Sequence, residues 1–577
     1  MPLFAALAPI FTRLRRLALV GRLAREAGRR HLAALALFTG LSSLLDIAGL
    51  GVGVSLLLGA GPGGKAGPGG SAGLALLVGL MLVRGLLQAW IAIGQERLRS
   101  GFTDRLRQQL LSQVLQAPAE QLNQLGRGAL LGLLMGDISR SVFALDQGLR
   151  CLQALLALAL YAAGVLLVGR DAALPLVLAL LATGGAALLQ RSGSWQLGRL
   201  QSRLNGGLQR TVGDGLHGLK AVRAAAAEPW LLRRFAADSH RVRQVLRQTV
   251  QRQALFNALR DTLVVAVVGG WLVWGRAGLP PATIATTLLL AYRSGTALSG
   301  VIGAQRSCLG ALPGYQELCR RRDLLTPPQA EGGATLPAAR LAALERPEAW
   351  QALNWQAPAP ADTADPPPRL RLQRGVLVAV VGPSGSGKTT LLDRFCGLLA
   401  APHSDWHIHT GAGEARLSGA AGARQLRRLL ACAPQQAVLF EASLRHNLLL
   451  DQQQPTEVIE AWLERLGLVH LLQRGAGLDE PLALALDQCS GGEIHRLGLL
   501  RAWLRDRPVE VLDEPTAFLD ATSAERVRAI LLERSRQRLV LVSTHDPELI
   551  RRADQLVQLQ AGDRAAAERL HQRNWAP

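Results

Sequence analysis

The chain is almost devoid of lysine: Lys65, Lys220 and Lys388 stand against 61 arginines in 577 residues. Aromatic residues are also scarce, at 4%, and the six cysteines (151, 308, 319, 396, 432, 489) form no C-x-x-C pair. That spacing argues against a zinc framework or a disulfide-stapled fold, and it reads as single buried thiols in a reducing compartment. The formal charge of +21 raises the question of nucleic acid. The basic residues gather beside apolar stretches rather than in an aromatic-studded patch, which argues against that partner. No signal peptide is evident, because the apolar stretch Leu3–Phe11 precedes its arginines instead of following them. An amphipathic helix lying at a membrane surface fits this stretch better.

What is present divides the chain unevenly. From residue 31 to about 320 it carries long apolar runs with few charges, whereas 346–577 has the composition of an ordinary soluble α/β domain. With about 20 apolar residues needed to cross a bilayer core, six spans are expected. They are Leu32–Leu58, Ala72–Ile93, Leu152–Val168, Ala172–Leu189, Thr262–Trp274 extended toward Leu279, and Ala282–Gly303. A soluble helical protein is the competing reading, but a run such as Leu152–Val168 has no polar face to show to water. The connections Gly59–Gly73, Gly169–Asp171 and Arg276–Pro281 are short and face outward on this reading.

Two loops are long, Gln95–Arg150 and Gln190–Asp261, and Arg97, Arg99, Arg105 and Arg107 open the first. Seven arginines against Glu26 in the first 30 residues put the N-terminus on the same, cytoplasmic side. Three ionisable residues fall near the middle of spans: Asp46, Arg84 and Arg293. Such groups are costly in lipid and should pair or face a cavity. The expectation is an Asp46–Arg84 pair across the first helical hairpin, with Arg293 left to a cavity; all three serving only as internal helix glue is the alternative.

The one lysine of the soluble half lies in Gly382-Pro383-Ser384-Gly385-Ser386-Gly387-Lys388-Thr389-Thr390, a G-x-x-x-x-G-K-T phosphate-binding loop. A strand-like run, Val376–Val381, leads into it and a helical pattern follows. Its backbone N–H groups and helix terminus receive phosphate charge, Lys388 reaches the β/γ-phosphates, and Thr389 ligates Mg²⁺. Val511-Leu512-Asp513-Glu514-Pro515 supplies the acidic strand end: Asp513 for the metal shell and Glu514 to polarise the attacking water. Alone, Asp-Glu-Pro reads as a solvated turn; behind a P-loop it reads as catalytic. Downstream, Cys489-Ser490-Gly491-Gly492-Glu493 opens a helix whose N-terminus is a second anion site.

These motifs in this order resemble the nucleotide-binding domain of ATP-binding-cassette (ABC) transporters, and residues 30 to 565 are similar to a half-transporter of the type I exporter architecture. The fold implied is multidomain: a six-span α-helical transmembrane domain (1–325), a linker (326–345) and an α/β P-loop NTPase domain of the ABC type (346–577). The resemblance implies that Gln435 contacts Mg²⁺ and senses the γ-phosphate. It implies that Ser490, Gly491, Gly492 and Glu493 clamp a γ-phosphate on the opposite subunit, and that Ala517-Phe518-Leu519-Asp520 forms the D-loop. It makes His545 the switch histidine and Trp355 the aromatic that stacks on adenine. His217–Arg223 and Leu125–Leu145 are similar to the segments that couple the two halves.

Departures from the family pattern are Cys489 for Leu, Glu493 for Gln, Glu510 within the apolar strand, and Leu482–Leu486 in place of a glycine–glutamate segment. ATP and Mg²⁺ are the expected cofactors. The expected partners are a second half-transporter, identical or not, and membrane lipid. A multi-pass protein of the cytoplasmic membrane, with its N-terminus and nucleotide-binding domain in the cytoplasm, is implied. Low aromatic content argues against an aromatic-walled drug cavity. Leu45–Gly51 is similar to the first helix of flippases for lipid-linked oligosaccharides, so an amphipathic lipid or glycolipid is the favoured cargo. A small thiol or peptide exporter within a heterodimer is the alternative, and an ATP-dependent regulator of another membrane protein is a third reading.

Overall fold

The computed structural model describes residues 18–58, 70–117, 121–122, 125–168, 194–274, 281–325, 333–356, 369–399, 404–474, 477–479, 489–559 and 571–573. The fourth expected span, most of the outward connections, residues 326–332 of the linker, Leu3–Phe11 and Leu482–Leu486 lie outside these residues. The chain divides into two compact units, with the change at Thr326/Pro327.

The first unit is helical. Its long helices are α1 (Arg29–Leu58), α2 (Gly70–Gln116), α3 (Ile138–Val168), α4 (Ser194–His217), α5 (Glu228–Trp274) and α6 (Pro281–Leu325). At 1.5 Å per residue, α2 is about 70 Å long, far more than a bilayer core requires. Three helical stretches among the described residues are long and apolar enough to cross a membrane: Arg29–Leu56, Ser71–Gln116 and Gly128–Gly164. The fifth and sixth expected spans lie in α5 and α6. There the apolar stretch is short or is interrupted by Tyr292, Arg293 and Ser294, so neither reaches the same apolarity.

Large apolar side chains on α1 and α2 stand open, with Leu37 72% and Leu86 73% exposed. A helix that is apolar on every face needs lipid or another helix around it. Lower down, Phe102, Leu106 and Leu110 of α2 close a core with Ile138 of α3 and Leu312 and Tyr315 of α6. The expected coupling segments resolve into short pieces: Arg127–Leu131, a π-helical turn Gly132–Asp137, and the helix Leu219–Ala224 between α4 and α5.

The midspan charges converge. Arg84 Nη2 lies 3.1 Å from Asp46 Oδ1, and Tyr161 Oη donates to Asp46 Oδ2 at 2.8 Å. Arg293 reaches the same carboxylate: its Nη2 lies 3.7 Å from Asp46 Oδ1. One buried carboxylate on α1 thus gathers α2, α3 and α6. Two guanidiniums share it because no other carboxylate is placed at that depth in the described helices, and an unpaired charge there would cost more than a shared one.

The described residues of the second unit form two sheets. An antiparallel sheet runs β2-β1-β4-β5, from β1 (Trp350–Gln356), β2 (Arg369–Gln373), β4 (Asp405–Thr410) and β5 (Gly413–Ser418). The other has order β10-β9-β3-β8-β7-β6. It is built from β3 (Leu377–Val381), β6 (Leu430–Ala433), β7 (Val509–Asp513), β8 (Leu539–Ser543), β9 (Gln555–Gln558) and β10 (His571–Arg573). All but β10 are parallel. Parallel strands need crossovers, which α7 (Lys388–Phe395), α8 (Gly419–Leu429), α9 (Gly491–Leu504), α10 (Ala521–Ser535) and α11 (Pro547–Arg552) help to supply. Strands buried on both faces read as continuous apolar runs, as β3 and β8 do. Glu510, the second residue of β7, is wholly buried; Arg534 Nε donates to it at 2.6 Å, and Arg538 Nε lies 3.5 Å away.

Candidate active site

In a parallel sheet every strand delivers its following loop to the same edge, and ligands bind at that edge. Here β3 delivers the phosphate loop, β8 delivers His545, β7 delivers Glu514, and β6 delivers Pro434-Gln435. Because β3, β8 and β7 are successive neighbours, residues from three distant parts of the chain meet.

The loop's shape is set by glycine. Gly387, which caps α7, has φ +89°, a conformation that other residues adopt only with strain. A Cβ at Gly382 would lie 2.7 Å from the Leu559 carbonyl and from Ser386 Oγ. Pro383, Ser384, Gly385, Thr389 and Thr390 are exposed along the loop, while Ser386 and Lys388 turn inward.

Lys388 Nζ donates to the carbonyls of Gly382 (3.0 Å) and Pro383 (3.4 Å) and lies 2.7 Å from His545 Nε2. An ammonium has no lone pair, so His545 Nε2 accepts and the ring carries its proton on Nδ1. Glu514 Oε1 is 3.9 Å from Lys388 Nζ and 3.3 Å from His545 Nε2, while the His545 backbone N–H donates to Glu514 Oε2 at 3.2 Å. Glu514 adopts φ +52°, and its N–H is held by the Ser543 carbonyl (3.1 Å) and hydroxyl (3.0 Å). A strained backbone kept in place by two such bonds is typical of a functional position.

Thr389 Oγ1 donates to Asp513 Oδ2 at 2.8 Å, and the Ser543 hydroxyl donates to the other oxygen, Oδ1. A hydroxyl beside a buried carboxylate is an all-oxygen donor set. It is too small for a closed protein cage and suits Mg²⁺, which keeps waters and phosphate oxygens in its shell. Ser543 itself was not predicted as a site residue; a polar residue ending an apolar strand was its only signal in the sequence.

Other expected residues sit apart from this cluster. Gln435 follows β6 with an exposed side chain. Ser490 caps α9 in a reciprocal arrangement: its Oγ accepts from the Glu493 N–H at 3.2 Å, and Glu493 Oε2 accepts from the Ser490 N–H at 2.7 Å. Glu493 also meets His470 Nε2 at 2.5 Å, so its carboxylate is turned back onto its own helix. Asp520 caps α10, accepting from the Ser523 N–H and hydroxyl, which hold its carboxyl below the usual carboxylate range.

Trp355 requires correction. It is 1% exposed, pairs across the sheet with Trp406, and meets Phe395 edge-on with ring centroids 5.8 Å apart. Both ring faces are spent on the core, so it offers none to adenine. The strand's inward face takes it, joining β1 to the end of α7.

Known proteins resemble this chain in sequence and in fold. A family model described as ABC transporter matches residues 367–517. The glutathione/L-cysteine transport system ATP-binding/permease protein CydC of Escherichia coli is 36% identical over 194 residues, 33% of each chain. The ATP-dependent lipid A-core flippase of Burkholderia pseudomallei is 33% identical over 196 residues, covering 33% of this chain and 31% of the flippase. Each match spans about a third of those relatives. The lipoprotein-releasing system ATP-binding protein LolD 1 of Rhodospirillum rubrum is 36% identical over 210 residues, which is 87% of that shorter protein. The structure of a bacterial Atm1-family ABC exporter with ATP bound superposes with TM-score 0.70 at 18% identity, covering 93% of this chain and 94% of the other. The chain therefore belongs to the ABC transporter family, an ATP-binding cassette fused behind a helical unit with the fold of an exporter.

Proposed function

We propose that this chain is one half of a dimeric, ATP-driven exporter of the cytoplasmic membrane, and that it hydrolyses ATP between its own phosphate loop and the Ser490 helix end of a partner half. The observation that carries this is the convergence of Lys388, Thr389, Asp513, Glu514, Ser543 and His545 at one sheet edge. When bound, Mg²⁺ would be held by Thr389 and Asp513, with Gln435 as a third ligand, and would draw charge from the phosphate oxygens.

Glu514 accepts a proton from the attacking water as its oxygen bonds to the γ-phosphorus. The bond to the β-phosphate oxygen breaks, and ADP and inorganic phosphate leave. Lys388 now faces His545; a phosphate competing for the ammonium frees His545 Nε2, which donates to the γ-phosphate once the ring proton sits on that nitrogen.

The cargo we favour is an amphipathic lipid or glycolipid, supported by the exposed apolar surfaces of α1 and α2 and by the similarity to lipid A-core flippases. A small thiol or peptide exporter working as half of a heterodimer is the second reading, and the similarity to CydC supports it. Purified protein in lipid vesicles decides. ATP-dependent movement of a fluorescent glycolipid that stops in Glu514→Gln supports the first reading. Movement of radiolabelled cysteine or glutathione supports the second, and ATP turnover with no movement of either contradicts export.

A further inference from the structure

His495 belongs to none of the motifs above, yet it occupies the place where three of them meet. It lies on α9, five residues after the Ser490 cap, and is 4% exposed. Its Nε2 donates to the Pro515 carbonyl at 3.1 Å, and the backbone carbonyls of Gln435 and Glu514 also face the ring. The segment after β6 and the segment after β7 therefore converge on one imidazole.

Two close backbone approaches flank it. A Cβ on Gly492 would lie 2.9 Å from the Phe518 carbonyl, and a Cβ on Gly498 would lie 2.5 Å from Ala437 Cβ. The Phe518 ring meets His495 edge-on with centroids 6.1 Å apart. Helix α9 is thus wedged against the stretch from Gln435 to Ala437 on one side and against Pro515 to Phe518 on the other. Burial lowers the imidazole's pKa, which keeps it an uncharged donor at neutral pH.

We propose that His495 is a positioning residue that makes the γ-phosphate-facing loops of one nucleotide site and the Ser490 helix end serving the other site move as one body. The proposal rests on the reading that nucleotide is shared between two halves. Gln435 and Glu514 would read the chain's own nucleotide, Ser490 would contact the partner's, and His495 is the side chain common to both. A buried carbonyl deprived of its donor is costly, so replacing the ring by an apolar group should let the segments part.

The test uses the full-length protein in lipid, comparing His495→Leu with His495→Gln. Glutamine keeps an uncharged N–H donor of similar reach, whereas leucine fills space without one. Expected for His495→Leu is a turnover lower by about 10-fold, the kinetic equivalent of one lost buried hydrogen bond. Its dependence on ATP concentration should lose cooperativity, while equilibrium binding of a non-hydrolysable ATP analogue is unchanged. His495→Gln should restore both turnover and cooperativity.

Wild-type turnover and cooperativity in His495→Leu would overturn the proposal. So would failure of His495→Gln alongside it, or joint loss of analogue binding, which would mark a merely structural residue. If His495→Leu does not assemble, His495→Asn replaces it: its shorter amide must lose cooperativity where Gln keeps it, and equal behaviour of the two refutes the idea. A wild-type protein without ATP turnover would instead refute the functional reading beneath.

Discussion

Two carboxylates four residues apart on and just beyond β7 have opposite fates. Glu510 is sealed in the core against Arg534 and Arg538, which Asp506 also pairs, and Trp462 stacks under the Arg534 guanidinium at 5.5 Å. Glu514 emerges at the strand end with a left-handed backbone, 3.9 Å from Lys388 Nζ and 3.3 Å from His545. Both are glutamates beside cations. What separates them is that the partners of Glu510 are shut away from solutes by protein, whereas Lys388 and His545 are groups that a phosphate can claim. A buried charge with fixed partners serves the fold; one whose partners can be taken away serves chemistry.

That contrast can be broken by exchanging the penalties. The largest expected effect on catalysis is at the open carboxylate: Glu514→Gln should cut ATP turnover by about 10²–10⁴-fold and leave thermal unfolding unchanged. Arg534→Met should do the reverse, lowering stability by about 3–5 kcal/mol because Glu510 is left with only the more distant Arg538. Turnover per folded molecule should survive, as measured by thermal unfolding and ATPase on the same sample.

Glu510 also gives a pH signature. Burial, opposed by Arg534, holds its carboxyl above the ordinary value of 4.5. A carboxyl with the higher pKa in the folded state favours folding most below pH 4.5, and that contribution fades as pH rises through the folded pKa. The slope of stability against pH just above pH 4.5 should therefore be more negative in Arg534→Met than in the wild type. An unchanged slope would mean that Glu510 does not titrate with folding.

The Trp355 correction yields the next prediction. Trp355→Ala should destabilise the second unit by about 3–5 kcal/mol, while ATP affinity at a temperature where the protein is folded stays unchanged. A selective loss of ATP affinity would restore the stacking role. The smallest effect belongs to the helical unit, where Tyr161→Phe removes one hydrogen bond to Asp46 and should cost about 1 kcal/mol. Arg84 still holds the carboxylate in that variant, so a much larger loss of thermal stability would mean that the tyrosine, not the arginine, secures it.

The phosphate loop and the acidic strand end were readable because their spacing encodes their geometry: a strand, a glycine turn and a helix follow one another in the chain. The expected switch histidine, His545, was readable because an apolar strand, Leu539–Val542, runs straight into it. Apolar runs likewise announced α1, α2 and α3. Trp355 was misread because strand alternation does not say which face lies inward until a second sheet covers it. That Arg293 shares Asp46 was not legible, because pairing at one depth depends on helix rotation, which hydropathy does not carry. His495 was invisible, since its partners come from the ends of two other strands and no local pattern marks a side chain that joins them.

The most direct test of the account is the fate of γ-labelled ATP on lipid-reconstituted Glu514→Gln protein. The account predicts that ATP is recovered intact from the variant while the wild type releases inorganic phosphate. Release of phosphate by the variant at the wild-type rate would contradict it.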